Sequence, residues 1–230
     1  LPIALGISGA SKAATRSAPD TQSIRDALHE ASRHRGYLLL LLGFYVCGFQ
    51  VNFIGSHLPA HIVDAGVAAR WGAIALMLVA FFNMIGSWGC GWIGDRYRKK
   101  YALSILYTFR TLLIVGFMVL PVTPWTIVIF SAGVGLTWLG TLPLVSGIIV
   151  DVFGVRYMAM LFGVVYFSHQ LGAFTGIWLG GYIFDTTGIY DAIWLIAILL
   201  GVATAIIHLP IDDRPVARLV KASIAGPRRP

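Results

Sequence analysis

Gly91-Trp92-Ile93-Gly94-Asp95-Arg96-Tyr97-Arg98-Lys99-Lys100 joins two long apolar runs, one over about 72–94 and the next over about 102–120. The change of character is abrupt: the first run holds no charged residue, and Asp95, Arg96, Arg98, Lys99 and Lys100 then crowd together. A charge-free apolar run of roughly 20 residues matches the hydrocarbon thickness of a bilayer. A basic cluster directly behind it stays at the membrane surface. The stretch therefore reads as a short loop between two transmembrane helices, and it sets the fold class as all-α and polytopic.

The rest of the chain repeats this pattern. Of 230 residues, 57% are hydrophobic and 12% charged, with mean hydropathy +0.79. A soluble domain carries about 25% charged residues and could not hide this much apolar surface from water. Six apolar segments are expected, at 37–57, 72–94, 102–120, 125–150, 158–184 and 192–209. Pro59, Asp95-Arg96, Pro121/Pro124 and Gly188 read as stop signals between them. Residues 1–36 read as the end of a preceding helix followed by a cytoplasmic linker, with an amphipathic helix over Ser23 to Ser32. Residues 210–230 read as a disordered cytoplasmic tail. Only Cys47 and Cys90 are present, both in apolar runs.

Charge gives the orientation. Of the 17 Lys and Arg residues, all but Arg70 and Arg110 fall in 8–36, 95–101, 151–157 or the tail. With six spans, the positive-inside rule puts both termini in the cytoplasm. The net charge of +7 is thus a topology signal, and no nucleic-acid partner is expected. The expected setting is the plasma (inner) membrane of a multi-pass protein.

Polar residues deep in the spans mark candidate sites. They are Gln50 and Asn52 in the first span, Asn83 in the second, Arg110 in the third, Thr137 and Thr141 in the fourth, and Tyr166, His169 and Gln170 in the fifth. At about 1.5 Å per residue, His169 and Asn83 sit near mid-depth. His169 is the one deep group that titrates near neutral pH. Ser168, Gly172, Gly176 and Gly180 recur every four residues, a spacing that lets helix backbones approach closely. Pro143 predicts a bend in the fourth span. No nucleophile, metal cluster or carboxylate pair stands at a spacing suited to catalysis, so neither an enzyme, a cofactor nor a metal is expected.

The loop from Gly91 to Lys100 resembles the G-x-x-x-D-R-x-G-R-R/K signature of the major facilitator superfamily, except that Arg98 replaces the second Gly. Phe153-Gly154-Val155-Arg156 and Gly180-Gly181-Tyr182-Ile183-Phe184-Asp185-Thr186-Thr187-Gly188 resemble bacterial carriers of the monocarboxylate and oxalate/formate type. The resemblance covers residues 37–209 as the C-terminal six-helix half of a twelve-helix bundle. It implies a missing N-terminal six-helix half as partner, and transport of a small organic solute by alternating access. It puts the first, second, fourth and fifth spans on the cavity, with Gln50, Asn83, Trp138, Thr141, His169 and Gln170 as lining residues, and leaves Arg110 outside. His169 is then the proton carrier if transport is proton-coupled, as in a symporter. Gly91, Asp95, Arg96 and Lys100 form a cytoplasmic gate. Carriers of this type often bind carboxylates through a cation in the eighth or eleventh helix, and the matching spans here hold none. A multidrug or other-solute efflux carrier, or a six-helix membrane protein acting as a dimer without transport, are the alternatives.

Overall fold

Hydrophobic run length dictates the helices. The computed structural model describes residues 22–224 and has six helical segments long and apolar enough to cross a membrane. A short helix, α1 (Ile24–Arg33), precedes α2 (Arg35–Asp64), α3 (Arg70–Arg96) and α4 (Lys99–Val119). The fourth span is made of two pieces, α5 (Pro124–Thr137) and α6 (Thr141–Phe153). Then come α7 (Met158–Thr187), α8 (Asp191–His208) and a short α9 (Ala217–Ile224). Among the described residues there is no strand. The expected start of the chain, 1–7, and residues 8–21 of the linker lie outside them.

Several boundaries differ from expectation, each for a local reason. The first span runs past Pro59, which lies inside α2. Gly72 leaves room for the Pro59 side chain, since a Cβ there would stand 2.9 Å from it. The helix stops instead before Gly66, whose φ of 81° suits a residue without a side chain. Pro143 does not bend a continuous helix. It is the third residue of α6, where its missing N–H is no loss. The hydrogen-bond ladder breaks earlier, at Trp138–Gly140.

In α1, Ser23 and Asp26 form a reciprocal capping box. Its apolar face is only half used: Ala27 and Ala31 are buried, while Ile24 and Leu28 are exposed. The tail is not the disordered segment expected, at least over 210–224. The Val216 amide donates to the Val152 carbonyl at 3.0 Å. Lys100 Nζ donates to the Ile211 carbonyl at 2.7 Å. The Lys100 cation thereby ties α4 to the segment just beyond α8.

The spans pack chiefly as three pairs: α2 with α7, α3 with α5, and α4 with α8. Small residues set the spacing. A Cβ on Gly48 would lie 1.9 Å from the His169 carbonyl oxygen, and one on Gly172 would lie 1.9 Å from that of Tyr45. Gly176 and Gly180 extend the same seam toward Phe49 and His57. Ser168 adds a hydrogen bond across it, donating to the Leu41 carbonyl at 2.6 Å. The α3–α5 seam uses Gly86 and Gly135 in the same way. Dispersion contacts and short-range polar bonds hold such seams where lipid offers no hydrophobic drive.

Gly172→Ala is therefore expected to cost about 1–3 kcal/mol, the usual penalty of overpacking. Gly163→Ala, with nothing within 4 Å of its position, is the matched control. Thermal melting in detergent should lower the midpoint for Gly172→Ala alone. Equal melting of the two variants would mean that the α2–α7 seam is looser than described.

Candidate functional site at the broken fourth span

The break at Trp138–Gly140 lies halfway along Pro124–Phe153. Backbone angles stay close to helical there (Trp138 φ −57°, ψ −69°; Gly140 φ −59°, ψ −16°). What is lost is the ladder. In a continuous helix the Thr141 amide would bond the Thr137 carbonyl. Here that carbonyl accepts from Arg110 Nη2 instead. Arg110 Nη2 also reaches the Trp138 carbonyl at 3.2 Å, its Nε donates to Thr137 Oγ1 at 3.2 Å, and its Nη1 reaches Cys47 Sγ at 3.6 Å. Arg110 is 0% exposed.

This placement follows from the physics of a buried cation. An arginine at mid-span costs about 2.5–3.5 kcal/mol by insertion scales unless partners offset it. The carboxyl end of α5 carries the negative pole of its dipole and carbonyls without helical partners. Arg110 on α4 caps that end. Asn83 on α3 serves the other side of the break, its Oδ1 accepting from the Leu139 amide at 3.0 Å and from Ser87 Oγ at 3.2 Å. Two helices thus hold the interruption from two directions.

The remaining candidates divide. Thr141 is fully buried, and its Oγ1 lies 3.5 Å from Cys47 Sγ on α2. His169 is 5% exposed and borders Cys47. Its Nδ1 is 3.1 Å from Gln170 Oε1, and its Nε2 has no hydrogen-bond partner. The Tyr166 ring stacks on it at 5.5 Å, and Phe44 packs at 4.9 Å. Gln170 and Tyr166 are exposed. Trp138 leans toward Gly55 of α2. Gln50 does not join this group: it is buried toward α8, where Nε2 donates to the Ala197 carbonyl at 2.8 Å. Arg110, which sequence reading left outside the cavity, stands instead at the centre of the cluster. Sequence reading also passed over Cys47 as an apolar-run cysteine, although its place beside Gln50 on one helix face was visible.

The motif loop is built differently from expectation. Asp95 and Arg96 are exposed, and Arg96 lies over the Trp92 ring at 4.0 Å. The ties are made by the next three cations: Lys99 Nζ to Asp151 Oδ2 at 2.8 Å, Arg98 to Asp213 at 2.5 Å, and Lys100 to the Ile211 carbonyl. Gly91, Asp95 and Lys99 line a cavity of about 350 Å³ with Pro143, Asp151 and Met158.

Two predictions follow from these contacts. Asn83→Leu orphans the Leu139 amide and Arg110→Met orphans the α5 carbonyls. Each should cost about 1–3 kcal/mol, and Arg110→Lys should recover only part, because an ammonium lacks the guanidinium fork. Thermal melts check this, and wild-type melting of both variants would contradict it. The second concerns the tail. Hydrogen bonds from Arg98 hold the Asp213 carboxyl below its ordinary value of 3.8. A depressed carboxylate stabilises the fold above its unfolded value, and that stabilisation is lost as pH falls through the depressed one. The tie thus persists at neutral pH and weakens only in strong acid. Asp213→Asn should speed tryptic cleavage after Arg218 at neutral pH, since Pro215 blocks the bond after Arg214, and an unchanged rate would show that the pair does not hold the tail.

No family model matches the chain. Among curated proteins it is 29% identical over 199 residues to an uncharacterized MFS-type transporter, YcxA, of Bacillus subtilis, covering 81% of this chain and 47% of that protein. It is 29% identical over 167 residues to monocarboxylate transporter 13 of Rattus norvegicus (71% and 38%). It is 26% identical over 168 residues to monocarboxylate transporter 12-B of Danio rerio (70% and 34%). The chain spans less than half the length of each. Its homologues are thus major-facilitator-type transporters, monocarboxylate transporters among them, and the six-span chain resembles part of such a protein.

Proposed function

We propose that this chain is the C-terminal six-helix half of a secondary transporter that moves a small organic solute, with a monocarboxylate the favoured class, by alternating access. The observation that carries this reading is the interrupted fourth span, halfway through the membrane, with polar side chains from α2, α3, α4 and α7 around it. Interrupted helices are common at transporter sites because their free backbone groups meet the solute. The relatives support the same reading.

Both termini then lie in the cytoplasm of a multi-pass inner-membrane protein, and a second six-helix unit completes the cavity. Asn83, Trp138, Thr141, His169 and Gln170 face the solute, and His169 carries the proton if transport is coupled. The loop around Gly91 and Asp95 closes the cytoplasmic side in one state. Lys99–Asp151 is the tie that must open when α4 and α6 move apart there.

The full-length protein in proteoliposomes tests this directly. Uptake of labelled pyruvate, with an inward proton gradient imposed or absent, is the readout. Saturable uptake stimulated by the gradient is expected, and His169→Ala should abolish the stimulation. If His169→Ala leaves uptake and its pH dependence unchanged, the proton role is wrong. If no solute in a panel of carboxylates, sugars and drugs is taken up, the transport reading itself is wrong.

A further inference from the structure

Proton uptake at His169 meets an obstacle in this bundle. Arg110 is fully buried, and its acceptors are the Thr137 and Trp138 carbonyls, the Thr137 hydroxyl and Cys47, none of them a carboxylate. In the spans, Asp64, Asp95, Asp151, Asp185 and Asp191 all stand at helix ends. Among the described residues no carboxylate therefore reaches the middle of the bundle. A proton added to His169 alone would set a second positive charge near a buried guanidinium, and like charges oppose each other strongly in an apolar interior.

Cys47 is the residue that touches both groups. Its Sγ lies 3.6 Å from Arg110 Nη1 and 3.5 Å from Thr141 Oγ1, and the His169 imidazole borders it. A thiol ordinarily gives up its proton near about pH 8.5, and more readily beside a cation. The other weak acids around it are placed differently. Tyr107 on α4 also borders the sulfur, but its hydroxyl donates to the Gly43 carbonyl at 2.9 Å, and a phenol ordinarily titrates near about pH 10. Cys90 on α3 packs against Gly140 and is not a hydrogen-bond partner of Arg110.

The imidazole supplies a second, independent observation. His169 is 5% exposed, its Nδ1 is 3.1 Å from Gln170 Oε1, and its Nε2 has no hydrogen-bond partner. With Nδ1–H donating to Gln170, Nε2 keeps its lone pair. A buried lone pair without a partner thus stands beside a thiol that a guanidinium faces. Transfer between them breaks the S–H bond and forms the N–H bond, and the electron pair stays on sulfur.

We infer that Cys47 and His169 hold the coupling proton as a pair, with Arg110 as the fixed counter-charge of the thiolate. This rests on the transport reading above and adds the group that lets His169 take up a proton. Unloaded, the cluster holds a guanidinium, a thiolate and a neutral imidazole, and its charges cancel. Loaded, it carries one net positive charge, and the proton rests on either atom. Without the sulfur the loaded cluster would carry two. Tyr166, 42% exposed, stacks on His169, and Gln170 is exposed, so the pair is linked to the exposed face of α7.

Cys47→Ser tests the pair, because serine keeps a hydroxyl for Thr141 and Arg110 but does not ionise near neutral pH. Two signals of the full-length protein in lipid nanodiscs are followed from about pH 5 to about pH 8. One is the infrared S–H stretch of Cys47, assigned by its loss in Cys47→Ser. The other is the NMR signal of the labelled His169 ring nitrogens, assigned by its loss in His169→Gln. In the wild type, Nε2 should take up its proton within this range, and the Cys47 S–H band should be absent at the upper end. In Cys47→Ser, Nε2 should stay unprotonated throughout, and proton-gradient stimulation of pyruvate uptake should fall about tenfold, the equivalent of one unit in a proton equilibrium. The inference falls if the S–H band persists at the upper end, or if Nε2 takes up its proton alike in wild type and Cys47→Ser. A lowered melting midpoint in Cys47→Ser with an unchanged His169 signal would show that Cys47 only packs, and also overturns it. Absence of uptake for every solute would remove the transport reading, while the two spectroscopic signals still decide the proton pair.

Discussion

A guanidinium buried at the centre of a membrane bundle must be surrounded by acceptors, and that constraint organises this chain. Arg110 finds them at the end of α5. By taking the Thr137 carbonyl it removes the acceptor that the Thr141 amide needs, so the cation and the helix interruption depend on each other. Asn83 then accepts from the Leu139 amide on the far side. Without these two side chains the fourth span would have every reason to close its own ladder, since apolar surroundings penalise unpaired backbone groups.

The rest of the bundle places these groups. The glycine seam between α2 and α7 brings the two backbones so close that Cys47 and His169 meet beside Thr141. The α3–α5 seam, through Gly86 and Gly135, sets Asn83 against the break. The α4–α8 pair holds the helix that carries Arg110, with Ser104 donating to the Ala205 carbonyl at 2.7 Å. Close packing and polar site are therefore one design. At the basic end, Lys99, Arg98 and Lys100 tie the motif loop to α6 and the tail, and these ties set how far that end can open.

Much of this was legible in the sequence. Run length gave the six spans, and the four-residue spacing from Ser168 to Gly180 gave a seam that the structure places against α2. Asn83, Thr141 and His169 stood out as deep polar residues; Asn83 meets the break at Leu139, and Thr141 and His169 both border Cys47. The break was only half visible. Pro143 marked the right span, but the ladder opens ahead of it, because the cause is a side chain on another helix. Arg110 meets the break and Gln50 turns toward α8 for the same reason. A residue's depth follows from counting along one helix, whereas its partner depends on which helix packs against that face. The tail was misread because its ties are single polar contacts, Lys100 to Ile211 and Arg98 to Asp213, that leave no periodic trace in composition.

The central claim is that Arg110 replaces the Thr141 amide at the Thr137 carbonyl. Solid-state NMR on the protein in lipid bilayers, with labelled arginine side-chain nitrogens and a labelled Thr137 carbonyl carbon, measures this directly. A strong through-space contact between the Arg110 guanidinium and that carbonyl, absent in Arg110→Met, is the predicted result. A Thr137 carbonyl coupled to the Thr141 amide, with no arginine contact, would show a continuous fourth span and contradict the account.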